Sequence, residues 1–111
     1  MSAQLSAPRG IIARHALNGA LEGFDLVLID SARPATVAAE HRHPGPVLGY
    51  ILDGQLRFGI DHETPHVIPA GGTFFEPAGA LHTTNESVGA GSQVRFLALF
   101  VVPTGSPLVR A

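Results

Sequence analysis

The sequence predicts an all-β domain, and three observations carry that prediction. Thirteen glycines and nine prolines recur along the 111 residues. No stretch beyond about ten residues keeps helical apolar spacing. Short apolar or alternating runs are separated by turn signals at roughly eight- to twelve-residue intervals, the cadence of a sandwich, jelly roll or barrel. With 45% apolar and 14% charged residues, the chain has material for a core and is a poor candidate for disorder. Its length suits one hydrophobic core, so a single domain spanning 1–111 is expected.

The elements follow in order. Gly10 to Arg14 is a short candidate strand. Ala16 to Gly23, with Asn18-Gly19 and Gly23, reads as a loop or single turn. Phe24 to Asp30 is continuously apolar and bounded by turn residues, the pattern of a mid-sheet strand buried on both faces. Thr36 to His43 alternates, placing Val37, Ala39, His41 and His43 on one side. Val47 to Leu52 runs into Asp53-Gly54, a strong hairpin signal, and Gln55 to Ile60 returns. Asp61 to Thr64 forms a turn before the strand His66 to Ile68. Pro69 to Gly72 is a turn, Thr73 to Glu76 a strand, and Pro77-Ala78-Gly79 a break before His82. Val94 to Val102 is the last long strand, ended by Pro103.

Charge and composition exclude several roles. Nine acidic and seven basic side chains leave a net charge of −2, with no Lys/Arg cluster for a phosphate backbone or an anionic bilayer, so neither nucleic acid nor membrane is an expected partner. The longest apolar run, Phe96 to Val102, is far short of the roughly 20 residues of a membrane helix. Met1 to Gly10 lacks a basic segment followed by an apolar one, and the chain has no cysteine, so a cytoplasmic location is the expectation.

One constellation stands out chemically. Residues two apart on a strand project to the same side, so the imidazoles of His41 and His43 suit two adjacent positions on one metal ion. A rigid Pro44-Gly45-Pro46 turn follows them, and a third histidine, His82, lies just past the Pro77-Ala78-Gly79 turn. His15, His62 and His66 have no such frame and carry no assigned role.

The segments HRHPGPVLGYILDG (41–54) and GGTFFEPAGALH (71–82) resemble the two sequence motifs of the cupins, and the chain is similar to small single-domain members of the RmlC-like cupin superfamily. The resemblance runs from about Pro34 to Asn85, with motif one near 34–54 and motif two near 71–85, matching the second motif at Gly71, Pro77, Gly79 and His82. It implies a double-stranded β-helix, or jelly-roll barrel, holding a divalent metal with His41, His43 and His82. The family's motif-one glutamate falls on Val47, which cannot ligate. Ala35, Gly72 and Glu86 are smaller departures, with Asn85 one place ahead of the family's asparagine. Without that carboxylate, three neutral imidazoles favour Fe, Ni, Zn, Cu or Co over oxygen-preferring Mn(II) or Mg; three-histidine iron sites occur among cupin dioxygenases. Glu76, beside Pro77 and near the barrel mouth, is the candidate substitute carboxylate, as ligand or acid/base catalyst.

Tyr50 and the phenylalanines are chiefly expected in the core, with Val47, Gly49, Ile51, Phe58, Phe75 and Phe96 as candidate pocket-lining residues. Such a lining suits a small, largely apolar organic molecule. The expected function is a metal-dependent oxygenase or isomerase. The alternatives are a non-catalytic metabolite or metal sensor and a degenerate structural cupin without metal. Phe96 to Val102 offers an apolar edge or face, so a homodimer is expected.

Overall fold

The computed structural model describes residue 8 and residues 10–110, so most of the N-terminal stretch searched for a leader lies outside the described residues. Nine strands are present among them: β1 (Gly10–Ala16), β2 (Phe24–Pro34), β3 (His41–Arg42), β4 (Val47–Asp53), β5 (Gln55–Ile60), β6 (His66–Pro69), β7 (Thr73–Glu76), β8 (Leu81–Ser87) and β9 (Gln93–Pro103). They form a five-stranded sheet ordered β1-β2-β9-β4-β7 and a four-stranded sheet ordered β3-β8-β5-β6, all paired antiparallel. This is the all-β double-stranded β-helix. No helix among the described residues is long and apolar enough to cross a membrane.

Strand periodicity builds the core. On β9 the even-numbered residues Val94, Phe96, Ala98, Phe100 and Val102 are buried, whereas Arg95, Leu97, Leu99 and Val101 face outward and are only half-buried. On β4, Val47, Gly49 and Ile51 point in, and Leu48 and Tyr50 point out. Leu56, Phe58 and Ile68 from the smaller sheet close the core from the other side. The Asp53-Gly54 turn joins β4 to β5, where Gly54 adopts φ +81 and a Cβ would come within 2.8 Å of the Gln93 carbonyl oxygen. Conformation and space both demand glycine there.

Three segment expectations change. β1 continues past Arg14 to Ala16, while the single turn expected before Phe24 is present as a 3-10 turn at Gly19–Leu21. β2 runs on to Pro34, paired along its whole length with β9; its inner side buries Asp25 and Val27, whereas on the other side Leu26 and Leu28 are half-buried and only Asp30 is buried. The strand expected over Thr36–His43 shrinks to His41–Arg42, and Val37 is 87% exposed. Alternation there lacks a partner strand: β3 is an edge, paired to β8 only at His41↔His82 and Arg42↔Leu81.

Candidate metal centre

Four side chains from three places in the chain meet between the sheets. The β3–β8 register sets His41 directly opposite His82, with ring centroids 4.9 Å apart. His43 lies one residue beyond β3, but Pro44 follows it, and a residue before proline is held extended. The alternation therefore persists, and His43 joins His41 at 4.8 Å. The turn carrying the second motif is tied to this pair: the Gly79 N–H donates to the His43 carbonyl (3.0 Å), and Arg42 Nη1 donates to the Gly79 carbonyl (2.6 Å).

The carboxylate arrives from across a ladder. Val47 on β4 pairs with Glu76 on β7, and directly opposed residues project to the same face about 5 Å apart. A carboxylate on the neighbouring strand thus stands beside position 47, where the family's motif has its acid. One candidate ligand atom from each of His41, His43, Glu76 and His82 lies within 4.8 Å of all the others.

Their polar environment is poised for a cation. The His43 Nδ1–H donates to the Leu108 carbonyl at 2.6 Å, which leaves the Nε2 lone pair turned inward, 3.7 Å from Glu76 Oε2. The His41 Nδ1–H donates to the Ala39 carbonyl at 3.2 Å. Such outer hydrogen bonds fix the tautomer and orientation of metal-binding histidines. Burial, reinforced by the adjacent His82 and His43, holds His41 below the ordinary imidazole range against the opposing Ala39 hydrogen bond and the Glu76 charge. That favours the neutral form, the one with a free lone pair. His82 and Glu76 are almost wholly buried. Their Nδ1 and Oε1 atoms lie 3.1 Å apart without hydrogen-bond alignment, and neither these atoms nor His82 Nε2 has a hydrogen-bond partner among the described residues. Unsatisfied buried polar atoms cost about 1–3 kcal/mol each; a divalent ion among three imidazoles and a carboxylate would satisfy the Glu76 oxygen and one of the two His82 nitrogens. The residues fit such an ion.

The cluster opens into a cavity of about 210 Å³. Of the expected lining residues, Val47 and Phe96 are on its wall, and Gly49, Ile51, Phe58 and Phe75 are not. Gly49 faces inward but leaves its space to Phe74, whose ring would lie 2.0 Å from an added Cβ. Ile51 is fully buried, deeper in the core. Phe58 packs behind His82, with centroids 4.9 Å apart. Phe75 points away and is 56% exposed, because Phe74 and Glu76 on either side of it point in. Sequence reasoning missed Phe74, Ala98 and Phe100 on the wall, the C-terminal cover of Leu108 and Val109, and a polar group of Ser31, Arg33 and Asn85. Ser31 and Arg33 share the inward parity of Val27 and could have been found by extending β2 to Pro34. Asn85 owes its orientation to a β-bulge: Gly59↔Thr84 is followed by Ile60↔His82, so Thr83 is the extra residue on β8. The bulge reverses parity, and His82 and Asn85, three apart, both reach the cavity.

A family model for the cupin domain matches residues 29–101. The chain is a cupin. Its fold is shared with a conserved protein containing a double-stranded β-helix domain from Klebsiella pneumoniae, at 14% identity and TM-score 0.62, covering 99% of this chain and 90% of that one. A DMSP lyase from Ruegeria pomeroyi aligns at 18% identity and TM-score 0.61 over 86% of this cupin and 49% of the lyase, so the chain spans about half of that enzyme. A protein described as a predicted oxalate decarboxylase from Thermotoga maritima aligns at 26% identity and TM-score 0.52, over 71% and 64% of the two chains. No curated protein matches the sequence.

Proposed function

We propose that this cupin is a metal-dependent enzyme of the oxygenase or isomerase class acting on a small organic molecule, with His41, His43, His82 and Glu76 holding the ion. The observation that carries the reading is the convergence of four candidate ligand atoms within 4.8 Å, with Glu76 and His82 holding buried atoms that have no hydrogen-bond partner among the described residues. Three imidazoles suit Fe, Ni, Zn, Cu or Co, and the Glu76 oxygen makes Mn(II) a further candidate. When bound, the ion supplies Lewis acidity and open positions for substrate or dioxygen. The protein's own part is positional: Leu108 orients His43, Phe74 and Phe100 give the cavity an apolar wall, and Glu76 would neutralise part of the ionic charge.

The test is elemental analysis of the protein as purified, beside a His82→Ala variant. Close to one equivalent of metal per chain, lost in the variant, is expected. Less than about a tenth of an equivalent, not restored by Fe(II), Ni(II) or Zn(II), overturns the reading, since sites of this kind bind tightly.

The expected homodimer also becomes more specific. β9 lies in the middle of its sheet and has no free edge, so the outer face is the surface to consider. Leu28, Leu99, Leu48 and Phe75 are consecutive partners across β2, β9, β4 and β7. This charge-free row continues beside Leu97 and Tyr50, and Leu48, Tyr50 and Phe75 are about half exposed. A two-fold axis brings such a flat face against itself, and a second copy is the occupant we propose.

A further inference from the structure

The cavity that holds the candidate metal ligands is also lined by a cation that forms no ion pair among the described residues. Arg33 lines it together with Ser31 and Asn85. Arg14, Arg57 and Arg95 each face a carboxylate, at 3.0, 3.7 and 2.6 Å. Arg33 has no carboxylate within ion-pair distance among the described residues; its recorded bond is a long one from Nε to the Asn85 backbone carbonyl, at 3.4 Å. Asn85 Oδ1 is buried with no hydrogen-bond partner among the described residues; as an acceptor it calls for a donor, and it is the amide NH2 that can serve an anion. A half-buried guanidinium facing a mostly apolar cavity calls for an anion, and its planar fork matches a carboxylate.

The spacing sets the ligand's size. Asn85 is three residues from His82 on a bulged strand, which places the polar group within about 10 Å of the metal ligands along β8. A volume of about 210 Å³ corresponds to roughly seven waters at about 30 Å³ each. A molecule of similar heavy-atom count bridges the two ends.

From this we infer that the substrate is a short-chain carboxylate whose acid group is bound by Arg33, with Ser31 and Asn85 beside it, and whose other end faces the metal ligands. The inference rests on the proposed metal-dependent activity for the role of that second end, but not for binding of the acid group. It also revises the expectation of a largely apolar ligand: one end is anionic, and the remainder lies against Ile29, Phe96 and Ala98.

Butyrate and its neutral counterpart butyramide test it. Binding of each is titrated by calorimetry and by amide NMR shifts to the purified protein, metal-free and Co(II)-loaded, and to Arg33→Met and Arg33→Lys. Butyrate is expected to bind at least about ten-fold more tightly than butyramide, the scale of one charge-assisted contact. The preference disappears in Arg33→Met and survives in part in Arg33→Lys, while Co(II) content and visible spectrum are unchanged. Equal binding of the two probes by the native protein overturns the inference. So does a preference that persists in Arg33→Met; seen only with Co(II) bound it would put the carboxylate on the metal, and seen without metal it would put it on another group of the cavity. If no metal binds at all, the proposed activity fails, and the metal-free titration still decides the role of Arg33 by the same two criteria.

Discussion

The five-stranded sheet has two apolar faces that use their side chains differently. Its inner face mixes Val47, Phe74, Phe96 and Phe100 with a buried carboxylate and an arginine around a cavity. Its outer face aligns Leu28, Leu99, Leu48 and Phe75 in one row with the last two half exposed. Ordinary two-layer packing puts apolar residues inside and polar ones outside. Both departures bear on the proposed functions: the polar groups inside surround the proposed binding site, and the leucines outside form the surface proposed to meet a second copy.

The adjacent residues Phe74 and Phe75 give the sharpest contrast. Phe74→Ala should destabilise the fold by about 3–5 kcal/mol, as for large aromatic truncations in cores, in denaturant unfolding. Phe75→Glu should change stability by no more than about 0.5 kcal/mol, yet shift the mass measured by light scattering from two chains to one. A native protein that is already monomeric at micromolar concentration removes the outer-face reading.

The inner face can be probed by moving its acid across the ladder. Glu76→Val should weaken metal binding by about 100-fold or more, since losing a ligand exceeds the 10–100-fold typical of second-shell losses. Val47→Glu combined with Glu76→Val returns the carboxylate to the family's position, and metal content by elemental analysis should recover. A double variant no better than Glu76→Val would show that the two strands do not present equivalent positions.

Much of this was legible beforehand. The alternation of β9 and β4, the Asp53-Gly54 hairpin and the His41/His43 pair all follow from period two and turn chemistry within one stretch of chain. The remainder depends on pairing between distant strands or on irregularities. Glu76 faces Val47 because of long-range register. Asn85 enters the cavity because one residue bulges at Thr83, and the Thr36–Glu40 alternation came to nothing for want of a partner. Phe75 could have been excluded earlier, since it cannot share an inward face with its neighbour Glu76 on a regular strand. The Leu108 carbonyl had no signal at all, because a backbone acceptor leaves no trace in side-chain identity.

That carbonyl gives a smaller, separable effect. Arg110 and Arg42 exchange two backbone hydrogen bonds of 2.7 Å, holding the terminal segment over the site so that Leu108 receives the His43 proton. Deleting residues 107–111 should leave every ligand in place but lower metal affinity by about 10–100-fold, read by competition with a chelator. Unchanged affinity would mean that His43 is oriented adequately by Pro44 and its neighbours.

The smallest effect comes from a second buried carboxylate with the inward parity of Val27, one whose partners are all protein. Asp25 accepts from the Thr104 hydroxyl at 2.8 Å and from Arg14 Nη1 at 3.0 Å. The Thr104 hydrogen bond first, then that of Arg14, holds its carboxyl below the usual carboxylate range despite burial. A depressed folded-state value makes the contribution complete above the unfolded-state value and lost as pH falls through the folded one. The melting temperatures of the native protein and Asp25→Asn should therefore differ most near neutral pH and converge as pH drops through and below the ordinary carboxylate range. Chelator should leave this difference intact, because Asp25, unlike Glu76, has protein partners and needs no ion. A gap independent of pH would show that the asparagine acts through packing instead of charge.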